Sequence, residues 1–313
     1  MPRELPSTLD TSFCVRDALR AGVTPKRLRG RDLVTPFWGV RSLARAEEPG
    51  LPEEEIVNGA LRYRPIMAEN QFFSHVTAAV LWGFPLPAHV LWPAARQGLD
   101  VAVFTPARQP RRRGIRGHEV HPSSAHVVEH PRHGVALTSP ASTWAALGAT
   151  LRDPYDLVAA GDAAVRERLF RDDPPPLATL AQLSAAASAH RRVGGPALRA
   201  ALPRIRSRSA SPRETWCRLL LVDAGLPEPE LNHEVRDAAG QVITCVDLAY
   251  PDARVAVEYE GEHHRTDPQQ WARDLARHEA LAVAGWFVVR VSAAHLAAGG
   301  ALLAARVRAA LGR

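Results

Sequence analysis

The sequence predicts an α/β chain, α+β overall. A small N-terminal winged helix-turn-helix precedes a mixed α/β middle segment and a C-terminal mixed sheet flanked by helices. Three observations carry this. Leu99–Thr105 alternates as a strand should, and Gln241–Tyr250 and Arg254–Glu260 are largely apolar runs bounded by turn residues. Segments such as Pro212–Ala224 have a capping serine before them, proline at the first position and glycine behind. From residue 204 the chain then reads helix, three-strand meander, helix, strand, helix, the pattern of an α/β layer.

Three segments follow, at residues 1–62, 63–203 and 204–313. In the first, Ser12–Ala21 reads as a helix with Phe13, Ala18 and Leu19 toward a core, ended by Gly22. Thr24 caps a second helix that carries Pro25, Lys26, Arg27, Leu28 and Arg29. Residues 33–40 form a short strand pair. Helix, turn, helix, hairpin is the order of a winged helix, and the second helix is basic, as a recognition helix is. In the middle segment, Ser74–Leu81 reads as a helix ending near Gly83 and Leu99–Thr105 as a strand. Arg108–Arg116 reads as a basic loop. Helical stretches follow at Pro140–Leu147, Asp156–Arg168 and Pro176–Ala189.

The third segment is the most legible. Ser211 caps a helix closed by Gly225. Asn232–Arg236, Gln241–Tyr250 and Arg254–Glu260 are strands joined by turns at Asp237–Gly240 and Pro251-Asp252. Asp267–Ala284 is a helix ended by Gly285, Trp286–Ser292 a fourth strand, and Ala293–Leu311 a last helix.

The net charge of the 313 residues is +6, and Lys26 is the sole lysine. The excess lies before residue 204, because residues 204–313 hold 14 basic and 14 acidic residues. General phosphate attraction therefore belongs to the front. The acids of the back half need another reason. The three cysteines, Cys14, Cys217 and Cys245, form no C-x-x-C pair, which points to reduced thiols in the cytoplasm rather than to disulfides or a cysteine zinc site. No apolar run reaches a membrane-spanning length, and Met1–Thr11 is too polar for a secretory signal. His118, His121, His126, His130 and His133 match no zinc spacing and read as scattered surface histidines. Arg111-Arg112-Arg113 is either a solvated loop or a phosphate clamp.

Along residues 255–260, Val255, Val257 and Tyr259 share one face, while Ala256, Glu258 and Glu260 share the other. Asp247 sits between Val246 and Leu248. Two adjacent strands thus carry acids inside apolar runs. A buried carboxylate without a partner is costly, and a divalent cation relieves that cost. Asp247 and Glu258 are the expected metal ligands, and Glu214 on the preceding helix can approach the same place.

The pattern Glu214…Asp247…Glu258-x-Glu260 resembles the PD-(D/E)xK restriction-like endonuclease core. VDLAYPDARVAVEYEGEHHR, followed by RDLARHEALAVAGWFVVRV, resembles the branch related to very-short-patch repair nucleases. The resemblance covers about residues 211–296. It implies Mg²⁺, with Mn²⁺ as a substitute, held by Asp247 and Glu258, and Glu214 orienting a water or a second ion. It implies His264 as general base or acid, Arg265 on a phosphate, Asp274 and Arg277 facing the site, and Arg290 bracing an acid. Two departures stand out. Glu260 replaces the usual Asp, and the motif lysine is absent. The front resembles the N-terminal winged helix of AbiEi-type antitoxins through Phe13, Ala18–Gly22, Leu28-Arg29 and Gly39-Val40. His75–Ala79, Gly83 and Gly134–Pro140 resemble the segment that joins the two parts.

The expectation is therefore a cytoplasmic, metal-dependent endodeoxyribonuclease that hydrolyses phosphodiester bonds in double-stranded DNA. Lys26, Arg27, Arg29, Arg265 and Arg277 would contact the DNA, and a homodimer is compatible with this. The alternative is a non-catalytic DNA-binding regulator, antitoxin-like, that keeps a degenerate nuclease fold. A toxin acting on RNA also fits a carboxylate–metal site.

Overall fold

In the computed structural model, residues 4–44, 50–169, 171–189, 192–237, 239–260 and 268–312 are described, the side chains of 268–275 excepted. The chain is mixed α/β, as its sequence patterns require. It divides into two units, one of residues 1–152 and 181–199, the other of residues 153–180 and 200–313. No described helix is long and apolar enough to cross a membrane.

The first unit opens with β1 (Ser12–Cys14), α1 (Val15–Arg20), a 3-10 turn at Arg27–Arg29, β2 (Leu33–Val34) and β3 (Val40–Leu43). The strands form an antiparallel sheet in the order β1-β3-β2 around Phe13, Ala18, Val23 and Leu28. Here the structure corrects three expectations. The first helix starts only at Val15, because Ser12–Cys14 is extended and pairs with β3. Leu19 is 44% exposed rather than core. The expected recognition helix is a single 3-10 turn. Thr24 Oγ1 does accept the Arg27 N–H at 3.3 Å, but Gly30 is extended and ends the turn at once. The Arg27–Asp32 ion pair then ties the chain back across it.

The unit continues with α2 (Pro52–Tyr63), β4 (Gln71–Phe73), α3 (His75–Trp82), α4 (Ala88–Gln97), β5 (Leu99–Phe104), β6 (Ile115–Val120), β7 (Val127–Glu129), β8 (Ala136–Thr138) and α5 (Pro140–Leu147). These strands make a mixed sheet in the order β6-β5-β4-β8-β7. Its core gathers Tyr63, Phe73, Val76, Leu99, Val101 and Leu137. Gly83, at φ +75°, ends α3 where the sequence placed the stop.

The second unit begins with α6 (Pro154–Val165). α7 (Leu180–Ser188) belongs to the first unit, apart from its first residue, and α8 (Gly195–Ala201) crosses the boundary. Then come α9 (Pro212–Asp223), β9 (Glu230–Arg236), β10 (Val242–Tyr250), β11 (Val255–Tyr259), α10 (Pro268–Val283), β12 (Phe287–Val291), α11 (Ala293–Leu296) and α12 (Ala301–Leu311). The sheet order is β12-β11-β10-β9, antiparallel except for the parallel pair β11/β12. One face packs on α9 and α12 through Cys217, Leu221, Leu303 and Val307, which meet Leu248, Val257, Val289 and Val291. The other face packs on α10 through Leu281, which meets Val246, Ala249 and Ala256. The expected single last helix is broken, because Gly299 and Gly300 are left-handed (φ +68° and +70°). A Cβ at Gly300 would stand 2.9 Å from Leu220, so this close crossing admits only glycine.

The division of the chain differs from the three-segment reading. Residues 1–62 share a unit with the sheet that follows them, while α6 joins the last segment. The reason lies in a buried network. Arg218 on α9 is 1% exposed and meets Asp162 on α6 at 3.1 Å, and Thr215 donates to Asp162 at 2.8 Å. Without α6 that guanidinium would be buried with half its charge partners gone.

Candidate functional site

Ser211 caps α9 by accepting the Glu214 N–H at 3.2 Å, and Pro212 occupies the first position. A first-turn acid is commonly a solvated partner of the helix dipole. Glu214 is not: it is 6% exposed, and its Oε2 accepts the Ala210 N–H and the Asn232 Nδ2, each at 2.8 Å. Burial pushes its carboxyl above the usual range, and the charge of Asp247 adds to the push.

Asp247 sits where β10 breaks its alternation. Val246 packs toward α10 and Leu248 toward α9, although two residues of a regular strand this far apart share a face. Across from it on β9, Asn232 is left-handed at φ +46°. Asp247 Oδ2 accepts the Tyr259 N–H at 2.9 Å, just past the last paired residues Leu248 and Val257. Burial raises the Asp247 carboxyl, and the Tyr259 N–H and the Arg277 charge only partly offset it.

Glu258 lies on the α10 face, as alternation predicts, and is 6% exposed. Arg277 reaches it from α10 with both terminal nitrogens, Nη2 to Oε1 and Nη1 to Oε2. The same guanidinium donates to Thr244 Oγ1 at 2.7 Å and to the Cys245 carbonyl at 3.1 Å. Arg277 is therefore an internal partner of an acid, not the outward DNA contact that the sequence suggested. Glu260 has left the strand and pairs with Arg290 Nε at the surface, so Arg290 does brace an acid. His264 and Arg265 lie outside the described residues, as does the side chain of Asp274.

Asp247 thus lies near enough to Glu214 for its charge to act on that carboxyl, and Glu258 has an arginine. Among the described residues, no group of three or more His, Cys, Asp or Glu side chains is arranged to hold a metal. The donor set of Glu214 and Asp247 nevertheless suits a hard divalent cation: two carboxylates, one buried and one half-buried, both raised chiefly by burial, a cost that a positive charge would relieve.

Two residues at this place were missed from sequence. Asn232 looked like the start of a strand, and only its left-handed backbone turns its amide onto Glu214. Arg213 is exposed, and its guanidinium lies 5.9 Å from the Tyr259 ring centre. The Ser-x-x-Glu spacing of Ser211 and Glu214 was the readable signal for a locally bonded acid. Cys217 is a bystander. Burial, with Asp247 and Glu214 beside it, pushes its thiol up to about 12.

In the first unit, Lys26 and Arg29 are exposed, whereas Arg27 is locked to Asp32 at 2.6 Å. The histidines are not all scattered on the surface. His130 is buried and bonds the Leu81 carbonyl at 3.0 Å, and His118 bonds buried Asp100 at 2.8 Å. His75 stacks on His118 with ring centres 4.0 Å apart, and its burial pushes it down to about 4.

No family model matches the chain, and no solved structure matches it. It is 32% identical over 220 residues to two proteins of Mycobacterium tuberculosis, "Uncharacterized protein MT2308" of strain CDC 1551 and "Uncharacterized protein Rv2248" of strain H37Rv. The matched part covers 69% of this chain and 72% of each relative.

Proposed function

The chain belongs to the family of these two mycobacterial proteins, and we propose that it is a metal-dependent endonuclease that hydrolyses phosphodiester bonds in DNA. The observation that carries this reading is that half-buried Asp247 on β10 lies near enough to buried Glu214 on α9 for its charge to act on that carboxyl. The element order α9, β9-β10-β11, α10, β12 supports it, being the order that the restriction-like resemblance implies.

In this reading Glu214 and Asp247 hold Mg²⁺ or Mn²⁺. Once bound, the ion supplies an activated water and neutralises charge gathering on the phosphate. The chain's own groups do the rest. Asn232 and the Ala210 N–H orient Glu214, and the Tyr259 N–H orients Asp247. Arg277 holds Glu258 with both terminal nitrogens. Arg213, exposed beside Tyr259, is placed for a phosphate, and His264 and Arg265 keep the proton-handling and phosphate roles that the resemblance gave them. Lys26 and Arg29 add phosphate attraction from the first unit. Such a protein would act in the cytoplasm on double-stranded DNA, and a homodimer would suit cleavage of both strands.

The test is nicking of supercoiled plasmid with Mg²⁺ or Mn²⁺ by the full chain and by Asp247→Ala. Cleavage by the wild type alone supports the assignment, and equal nicking by both removes it.

One observation favours a second reading. Arg277 already supplies Glu258 with a positive charge, as a retired metal site would need. The protein would then be a non-catalytic DNA-binding regulator. Calorimetry separates the two, since the regulator takes up no Mn²⁺ and still binds its own promoter in EDTA.

A further inference from the structure

We infer that the turn between β2 and β3, together with the arginine loop before β6, forms a binding surface for an unpaired nucleic-acid strand. Trp38, at the tip of that turn, is 86% exposed. Exposure of a whole indole is costly in water, and the backbone that carries this one is tied down. Its carbonyl accepts a bond from Arg112 Nη1 at 3.0 Å. Its neighbour Phe37 packs edge-on against buried Tyr63, ring centres 5.1 Å apart. Gly114, at φ +79°, closes the arginine loop against Phe37, and a Cβ there would stand 3.3 Å from the phenylalanine ring. The turn and the loop are therefore tied to each other at two points.

The loop supplies the charge. Residues 105–114 carry Arg108, Arg111, Arg112 and Arg113 and no acid. Arg108, Arg111 and Arg113 are exposed, and none of the three pairs with a carboxylate among the described residues. Guanidinium groups on a loop bonded to the turn that carries an exposed indole fit a polyanion that also carries flat rings. That describes a nucleic acid with its bases free. A duplex offers the phosphates but hides the base faces, so it cannot use the ring. An acidic peptide offers charge without rings.

This inference rests on the protein acting on nucleic acid, but not on cleavage. Binding is read by fluorescence anisotropy in EDTA, with labelled oligo-dT, oligo-U and a DNA duplex of equal length. Wild type should bind the single strands through this surface whatever its affinity for the duplex, and the dT and U arms tell which kind of strand it prefers. Trp38→Ala should weaken strand binding about tenfold, the low end of what stacking on one aromatic ring confers, and leave the duplex nearly unchanged. Trp38→Phe should recover most of the loss. Arg111→Ala with Arg113→Ala should flatten the slope of log affinity against log salt by about 1.4 for a single strand. No strand binding by wild type, or unchanged strand binding by Trp38→Ala, would overturn the inference. Because these arms run in EDTA, where no cleavage occurs, a failure of the nuclease reading appears in the plasmid-nicking test and not in them.

Discussion

Asn232 and Glu214 are joined by one hydrogen bond, Nδ2 to Oε2 at 2.8 Å, made possible by the left-handed backbone of Asn232. The same amide nitrogen also donates to the Arg208 carbonyl at 2.7 Å. Aspartate tolerates this backbone, so Asn232→Asp isolates the electrostatic change. It replaces a donor by an acid facing a buried acid. The expected cost is about 1–3 kcal/mol at neutral pH, read by urea unfolding. The cost should shrink toward pH 4–5, where the two acids can share a proton. A loss independent of pH would mean that Asn232 acts through packing alone.

Asp247 has its carboxyl raised, chiefly by burial, so the folded chain holds its proton to higher pH than the unfolded chain does. The stability linked to this group is whole below the ordinary carboxylate range and is lost as pH rises through the raised value. Metal-free Asp247→Asn should therefore unfold at a higher temperature than wild type at pH 7–8 and at nearly the same temperature near pH 3. Mn²⁺ should raise the melting temperature of the wild type and not of the variant. A variant less stable than wild type at pH 8 in EDTA would contradict this account.

The Arg218–Asp162 pair predicts a large single-site effect. Asp162→Ala strips a buried guanidinium of a bond at 3.1 Å and should cost about 3–5 kcal/mol. Glu228, which also bonds Arg218, is too exposed to compensate. A second change, Arg218→Met in the Asp162→Ala background, should recover part of the loss in denaturant melts. If the double variant is no more stable than the single, burial of charge is not what the pair settles.

Gly98 precedes β5 at φ +105°, and a Cβ there would fall 2.3 Å from the Gly114 carbonyl oxygen. That carbonyl accepts the Leu99 N–H at 2.9 Å and starts the β5/β6 pairing. Gly98→Ala should destabilise the chain by more than about 1 kcal/mol, from backbone strain and a steric clash that only a shifted backbone relieves. Loss of melting temperature with unchanged Mn²⁺ uptake would place the damage in the first unit.

Much of the second unit was legible because its signals are local. Ser211, Pro212 and Gly225 bracket α9, Gly285 ends α10, and the turn at Pro251-Asp252 sits between β10 and β11. The first unit was less legible. α2 starts with no side-chain cap, and α4 carries Pro93 inside it. The 3-10 turn at Arg27–Arg29 looked helical because its caps are those of a helix. What ends it is the extended backbone of Gly30, after which the Arg27–Asp32 pair ties the chain back.

The sequence by itself determined the order of elements from α9 to β12 and the faces of Val255–Tyr259, since periodicity and caps act within a few residues of themselves. It also determined that acids stand among apolar neighbours on two adjoining strands. Tertiary structure alone decided which acids meet. The break at Asp247 and the left-handed Asn232 bring Glu214 to Asp247, while α10 delivers Arg277 to Glu258. Charges separated by tens of residues are paired by the approach of whole elements, and no local pattern records that approach.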